Sequence, residues 1–121
     1  MKLTFAQVPG FVSKWKNLEL TDVDLQALEK LIMQRPEAGD VMQGTGGLRK
    51  VRFAPPSWNR GKSGGTRVCY ITIFDAQCCY LITLFAKNEK ENLSQGERHL
   101  IKALIVSIKE YHRPQSSKDV Q

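Results

Sequence analysis

The first third of the chain combines one short strand pattern with two helix patterns. A weakly alternating run over residues 2–8 predicts a strand, and apolar residues on one side of 11–18 predict a short helix. Thr21 and Asp24 have the spacing of a capping box and precede leucines at helical spacing, which predicts a second helix. That helix should end before Pro36, because the residue preceding a proline disfavours helical backbone angles.

The remainder of the chain favours strands, followed by one long helix. Apolar and β-branched runs predict strands at 48–54, 66–74 and 79–86, and the short connection between the last two predicts an antiparallel hairpin. Ser94 and Glu97 predict a capped helix with an apolar stripe. The order β-α-α-β-β-β-α therefore predicts an α+β fold, with a small, mostly antiparallel sheet and helices packed on one face.

Length and composition predict one globular domain. The chain has 121 residues, of which 41% are hydrophobic and 25% charged, and we expect a single domain over 1–113 followed by a flexible tail over 114–121. No run has the apolar length of a membrane span or of an export signal. Three cysteines, two of them adjacent, suit a reduced cytoplasmic protein better than a disulfide framework. We expect neither zinc nor another cofactor.

The distribution of charge indicates a polyanionic partner. The formal net charge is +6, and no acidic residue occurs between Asp40 and Asp75. Six of the eighteen basic residues lie in that window, so the other twelve are balanced by the twelve acids elsewhere. The basic residues of the window are Arg49, Lys50, Arg52, Arg60, Lys62 and Arg67. A neutral body with one basic segment favours a polyanion bound at a defined place.

Strand alternation assigns these cations to faces. Lys50 and Arg52 should share one face of their strand, while Arg49 shares the other with Val51 and Phe53. If the three strands are neighbours, Arg67 and Lys87 should join Lys50 and Arg52 on a concave sheet surface.

Nearby residues are further candidates for nucleic-acid contact. Arg49, Arg60 and Lys62 suit a phosphate backbone. Trp58 either stacks on a base or pins its own loop, and Tyr70 either contributes to the same surface or packs in the sheet.

Three segments together resemble a known family. The runs PEAGDVMQGTGGLRKVR, GKSGGTRVCY and FAKNEKENLS, in this order, resemble the RelE/HigB group of bacterial toxins from type II toxin–antitoxin modules. The resemblance spans nearly the whole chain and implies the RelE-like fold of the RelE/ParE superfamily. It also implies a ribosome-dependent mRNA endoribonuclease, or mRNA interferase, that blocks translation by metal-independent cleavage through attack of the 2′-hydroxyl.

The resemblance also implies partners and site residues. The expected partners are a cognate antitoxin, often a helix-turn-helix protein, together with the ribosome and mRNA; operator DNA would be contacted only through the antitoxin, and no membrane is involved. By position, the family's basic pair matches Lys50 and Arg52, its next arginine matches Arg67, and the basic residue that ends the last strand matches Lys87. These four are the expected catalytic residues.

The chain departs from the family pattern at three places. Ser63 replaces a second basic residue, Ile71 replaces the second member of an aromatic pair, and the C-terminal tyrosine of some relatives has no counterpart. Two other classes of function therefore stay open. One is a non-cleaving relative of the same fold, either a ParE-like gyrase inhibitor or an inactive toxin that binds its antitoxin. The other is a basic RNA-binding protein.

Overall fold

The computed structural model describes residues 2–58, 64–90 and 92–114, and it confirms the α+β class. The predicted tail beyond residue 114 lies outside the described residues. In chain order the elements are β1 (Thr4–Gln7), α1 (Pro9–Asn17), α2 (Asp22–Gln34), β2 (Asp40–Val41), β3 (Arg49–Phe53), β4 (Thr66–Ile73), β5 (Cys78–Ala86) and α3 (Gln95–Tyr111). The two-residue strand β2 was not predicted. None of the helices in the described ranges has the length and apolar character needed to cross a membrane.

The five strands form one sheet in the order β1-β5-β4-β3-β2. The pairs β2–β3, β3–β4 and β4–β5 are antiparallel, whereas β1 pairs with β5 in parallel. A turn of 3₁₀ helix, Phe74–Ala76, joins β4 to β5 and is followed by Gln77 in the left-handed region, at φ 50°. The sheet is therefore mostly antiparallel, as predicted, and its first strand lies beside its last.

Helices cover both faces of the sheet, which corrects the expectation that they pack on one face. Phe53 and Tyr70 lie in one cluster with apolar residues of α1 and α2, while Cys69 and Ile71 lie in a second cluster with Ile105 of α3. The physical reason is that β4 and β5 carry buried apolar side chains on both faces. A strand of this kind requires cover on each side.

Both predicted capping boxes are present, and one of them has a second role. The amide of Asp24 donates to Thr21 Oγ1 at 3.2 Å, and the amide of Thr21 donates to Asp24 Oδ2 at 2.8 Å. The same carboxylate also accepts from the amide and hydroxyl of Ser57, at 2.9 and 2.5 Å. Burial acts to raise the pKa of Asp24, but hydrogen bonds from Ser57 and Thr21 outweigh it and lower the pKa below its usual range. The start of α2 thereby holds the turn that follows β3.

Tyr70 fixes the segment that leads into β2. Its side chain is fully buried, and its hydroxyl donates to the carbonyl of Pro36 at 2.9 Å and accepts from the amide of Gly39 at 3.2 Å. Burial raises the pKa of Tyr70, so the phenol stays neutral at physiological pH. The hydroxyl thus satisfies two backbone groups that β2 pairing leaves unbonded.

Tyr70→Phe should lower the free energy of unfolding by about 1–2 kcal/mol, because it leaves the buried Gly39 amide without its acceptor. Chemical denaturation of the wild type and the variant measures the difference. Tyr111→Phe is the matched control, since Tyr111 is 77% exposed and should show no change. Equal losses in the two variants would contradict the assigned role of the Tyr70 hydroxyl.

Candidate nucleic-acid interface

The pairing of β3, β4 and β5 places three predicted cations on one face of the sheet. Lys50 lies opposite Cys69, and Arg52 lies opposite Arg67, which in turn lies opposite Phe85. Residues directly opposite one another in adjacent strands point to the same side of the sheet. Cys69 and Phe85 belong to the cluster under α3, so Lys50, Arg52 and Arg67 lie on the α3 side. We call this surface, with Lys87, the cationic face.

Gly64 joins Arg67 to Lys87. Arg67 donates from Nη1 to the carbonyl of Gly64 at 2.7 Å, and more weakly to that of Thr66 at 3.3 Å. The stem of Lys87 lies over Gly64, so closely that a Cβ there would come within 2.5 Å of Lys87 Cδ. Gly64 also has a φ of +81°, which disfavours any other residue. The side chains of Arg67 and Lys87 therefore both contact the turn that precedes β4.

Charged side chains from outside the basic window extend the cationic face. Lys14 of α1 donates from Nζ to Thr83 Oγ1 at 2.9 Å, and Lys90 donates to both carboxylate oxygens of Glu97 at 2.7 and 2.9 Å. Lys90 Nζ also lies 5.3 Å from the centre of the Phe85 ring. Sequence reasoning missed Lys14 because it is 69 positions from Thr83, and it missed Lys90 because that residue lies outside the acid-free window.

Glu97 carries a negative charge in the middle of these lysines. Hydrogen bonds from Lys90 and from the Ser94 amide lower the pKa of Glu97 to about 2, so its carboxylate is ionised at neutral pH. Lys14 Nζ lies 4.0 Å from the same carboxylate. One acid therefore offsets one of the two lysines, and the group keeps a net positive charge.

Cys69 shows that the two groups of cations adjoin. Burial raises the pKa of Cys69 to about 12, while the positive charges of Lys50, Lys14 and Lys90 act in the opposite direction. Cys69 is also the cross-strand partner of Lys50 on one side and of Thr83, which accepts from Lys14, on the other. A thiol with so high a pKa stays protonated and does not act as a nucleophile at neutral pH.

An acid from β2 also lies beside Lys50. Asp40 is the cross-strand partner of Lys50, and its side chain is exposed. A cleft of about 250 Å³ opens there, lined by Lys50, Asp40, Gln43 and Arg98 among others. Arg98 donates to the carbonyl of Gln43 at 3.0 Å, which ties the start of α3 to the loop after β2. The sequence places Asp40 at the border of the basic window, but only the unpredicted pairing of β2 brings it next to Lys50.

Two predicted RNA-binding residues lie on the other face of the sheet. Arg49 donates to the carbonyls of Glu37 and Gly39 at 3.1 and 2.8 Å, and its guanidinium lies 3.6 Å from the Glu37 carboxylate. Its cross-strand partner Tyr70 is fully buried. The side chains of both residues hold the chain between α2 and β2, and their contact with RNA stays a prediction.

Of the predicted binding residues between β3 and β4, the structure describes Trp58. Trp58 is half-buried and packs against the core under α1 and α2, and its amide donates to the Pro55 carbonyl at 3.0 Å. Of its two possible roles, the structure favours pinning the loop. Arg60, Lys62 and Ser63 lie outside the described residues. Within the ranges that the structure covers, no three His, Cys, Asp or Glu side chains come together as a possible metal site.

Comparison with known proteins finds a similar fold in a bacterial toxin. No family model matches the chain. Among solved structures, the chain is similar to a mutant of the E. coli toxin RelE in the free state, with 18% sequence identity and a TM-score of 0.50. The match covers 75% of this chain and 90% of that one. The chain has a RelE-like fold. The resemblance in sequence and the similarity in structure thus point to the same toxin fold.

Glu97→Gln should reduce the loss in the free energy of unfolding that occurs between pH 6 and pH 3. The pKa of Glu97 is lowered in the folded state from an ordinary 4.5 to about 2, so its ion pair stabilises the fold above pH 4.5 and loses this effect as the pH falls toward 2. Because 32% of the side chain is exposed and water screens the pair, we expect the contribution to the free energy of unfolding to be about 1 kcal/mol. Unfolding by denaturant at pH 6, 4.5 and 3 measures this contribution. Parallel curves for the wild type and the variant would refute it.

Proposed function

We propose that this chain is the toxin of a type II toxin–antitoxin module and acts as an endoribonuclease that cuts mRNA on the ribosome. The observation that carries the proposal is the cationic face, where Lys50, Arg52 and Arg67 lie side by side on two paired strands. The RelE-like fold supports the same function, because RelE is described as a toxin. A surface of this charge suits an RNA phosphate and the neighbouring sugar.

RNA supplies its own nucleophile, so the protein need not carry one. The 2′-hydroxyl attacks the adjacent phosphorus, the bond to the leaving 5′-oxygen breaks, and a 2′,3′-cyclic phosphate and a free 5′-hydroxyl result. The protein must align the hydroxyl with that bond, accept one proton, return one to the leaving oxygen and stabilise charge on the phosphorane. These requirements call for cations and for groups that exchange protons.

Each residue of the cationic face suits one part of this work. Arg52 and Arg67 stabilise the phosphorane, since a guanidinium offers a fork of donors to phosphate oxygens. In our assignment Lys50 accepts the proton of the 2′-hydroxyl, and Lys87 stabilises the leaving oxygen or returns its proton. Arg67 is already held by the Gly64 carbonyl, so less of its conformational freedom would be lost on binding.

Asp40 modifies this assignment. As the cross-strand neighbour of Lys50, its carboxylate lies on the same side of the sheet. A carboxylate there can orient the lysine toward the sugar. In the described part of the cationic face and its border, the groups able to exchange protons are therefore amines and carboxylates.

When the protein is not on a ribosome, a partner must block the cationic face to prevent RNA binding. We propose that this partner is an antitoxin of the helix-turn-helix class. An acidic segment or helix of the antitoxin would contact Arg52, Arg67 and Lys87. Opposite charge on the partner would steer association and exclude RNA.

The burial of Tyr70 gives weight to one alternative. Without that phenol on the surface, the described cationic face has no aromatic hydroxyl for proton exchange. A non-cleaving relative that binds a polyanion, or a gyrase inhibitor of the same fold, is consistent with this. Such a protein would arrest growth while messages stay intact, or would cause DNA damage.

Induction of the chain in bacterial cells should stop translation and generate new mRNA 5′ ends on ribosome-bound messages. Lys50→Ala and Arg67→Ala should each reduce cleavage about 100-fold, which is the usual effect of removing a proton acceptor or one donor to the transition state. Arg35→Ala is the matched control, because Arg35 is exposed at the end of α2 on the other side of the sheet. Sequencing of 5′ ends gives the cleavage, and immunoblotting gives the protein level.

Equal cleavage by Arg67→Ala and the wild type would refute the assignment of the site. Growth arrest with intact messages would instead support the non-cleaving alternative.

A further inference from the structure

A cavity beside the cationic face has no role in the proposed cleavage. It has a volume of about 460 Å³ and lies between α1 and the end of β5, with Leu18, Leu84 and Phe85 forming its apolar part. Strand β1 pairs only with Cys78–Leu81, so the rest of that edge of β5 faces α1 instead of another strand. The cavity results from this short pairing.

Two lysines border the cavity and both approach one carboxylate. Lys14 and Lys90 line it, and Glu97 lies 4.0 Å from Lys14 Nζ and 2.7 Å from Lys90 Nζ. Lys14 also donates to Thr83 Oγ1, so its ammonium group is held near the sheet. The side chains of Lys14 and Lys90 are 42% and 34% exposed, and an incoming ligand can therefore reach both.

The two ammonium groups indicate what kind of ligand the cavity would take. Glu97, which approaches both lysines, and Glu89, which also lines the cavity, balance their charge, so a phosphodiester would take the place of Glu97 as the partner of the lysines. The apolar part of the cavity suits the flat face of a base or the carbon face of a ribose, and its volume falls in the range of pockets for small ligands. Thr83, which accepts from Lys14, is the cross-strand partner of Cys69, and Cys69 is the partner of Lys50, so the cavity adjoins the cationic face.

We infer that Lys14 and Lys90 form a second phosphate-binding subsite, which holds a nucleotide of the RNA strand next to the one bound at the cationic face. The inference rests on the proposed function, since it takes the ligand to be RNA. Glu97 acts there as an internal counter-ion that limits the affinity of the two lysines for phosphate. A strand that crosses both sites would leave the cationic face toward α1.

Binding of a non-cleavable RNA tests the subsite without depending on catalysis. The probe is a fluorescent 2′-O-methyl hexanucleotide, and its Kd is measured by anisotropy at several salt concentrations. Lys14→Gln and Lys90→Gln should each weaken binding about threefold to tenfold and reduce the salt slope by about 0.7, the value for one phosphate of a single strand. Lys16→Gln, the matched control, removes an exposed lysine of the same helix and should change neither by more than about a third of that amount.

Glu97→Gln should have the opposite effect and tighten binding about threefold, because it frees both lysines for the phosphate. Glutamine can still accept the Ser94 amide, so the start of α3 is kept. Glu37→Gln is the control, since it neutralises an acid paired with Arg49 on the other face. Circular dichroism of each variant checks that the fold is intact.

A neutral methylphosphonate, placed at one linkage of the hexanucleotide at a time, tests the contact itself. At one linkage the methylphosphonate should weaken binding to the wild type and to Lys16→Gln. It should not weaken binding to Lys90→Gln, because that variant has no charge at position 90 to pair with the phosphate. Equal effects of every linkage in all variants would overturn the inference. If Lys14→Gln and Lys90→Gln match Lys16→Gln while Arg67→Ala still weakens binding, the subsite is wrong and the cationic face stands. If Arg67→Ala also has no effect, the proposed function fails as well.

Discussion

The register between β3 and β4 determines most of what this molecule presents to a partner. Lys50 opposite Cys69 and Arg52 opposite Arg67 place three cations on the side of α3. A shift of one residue would exchange the two faces of β3, burying Lys50 and Arg52 under α1 and α2 and exposing Val51 and Phe53. The apolar demand of the core therefore fixes the position of the cations, and their shared face follows from packing rather than from attraction among them.

Both faces of the sheet are covered, but unequally. Val51, Phe53 and the fully buried Tyr70 lie under α1 and α2, whereas α3 leaves Arg52 exposed and Arg67 half-exposed. The ends of α3 contribute to this arrangement, since Lys109 donates to the carbonyl of Gly46 and Glu97 bonds to Lys90. The helix thus closes the apolar half of its face and leaves the charged half open.

Much of this arrangement could be predicted from the sequence, for reasons that are local. Capping boxes and apolar stripes identify the helices, and alternation separates Lys50 and Arg52 from Arg49. The side of the sheet covered by α3 could not be predicted, because β4 is apolar on both faces and gives no alternation to interpret. For the same reason, Tyr70 could not be assigned to the core. Strand β2 is too short for a pattern, and its pairing with β3 alone brings Asp40 to Lys50.

The contributions of α1 and of the start of α3 depend on tertiary contacts between distant segments. Lys14 and Thr83 are 69 positions apart, and their bond forms only because β5 extends beyond its pairing with β1. The overall charge pattern identified the basic window but not these outlying lysines. The electrostatic surface is thus wider than the sequence window that revealed it.

The central claim is that Arg52 and Arg67 contact RNA from one face while Arg49, on the same strand as Arg52, does not. Paramagnetic broadening of the arginine Nε–Hε signals by a nitroxide-labelled, non-cleavable RNA measures this most directly. The account predicts strong broadening for Arg52 and Arg67 and a sharp signal for Arg49. Equal broadening of all three, or broadening of Arg49 alone, would contradict it.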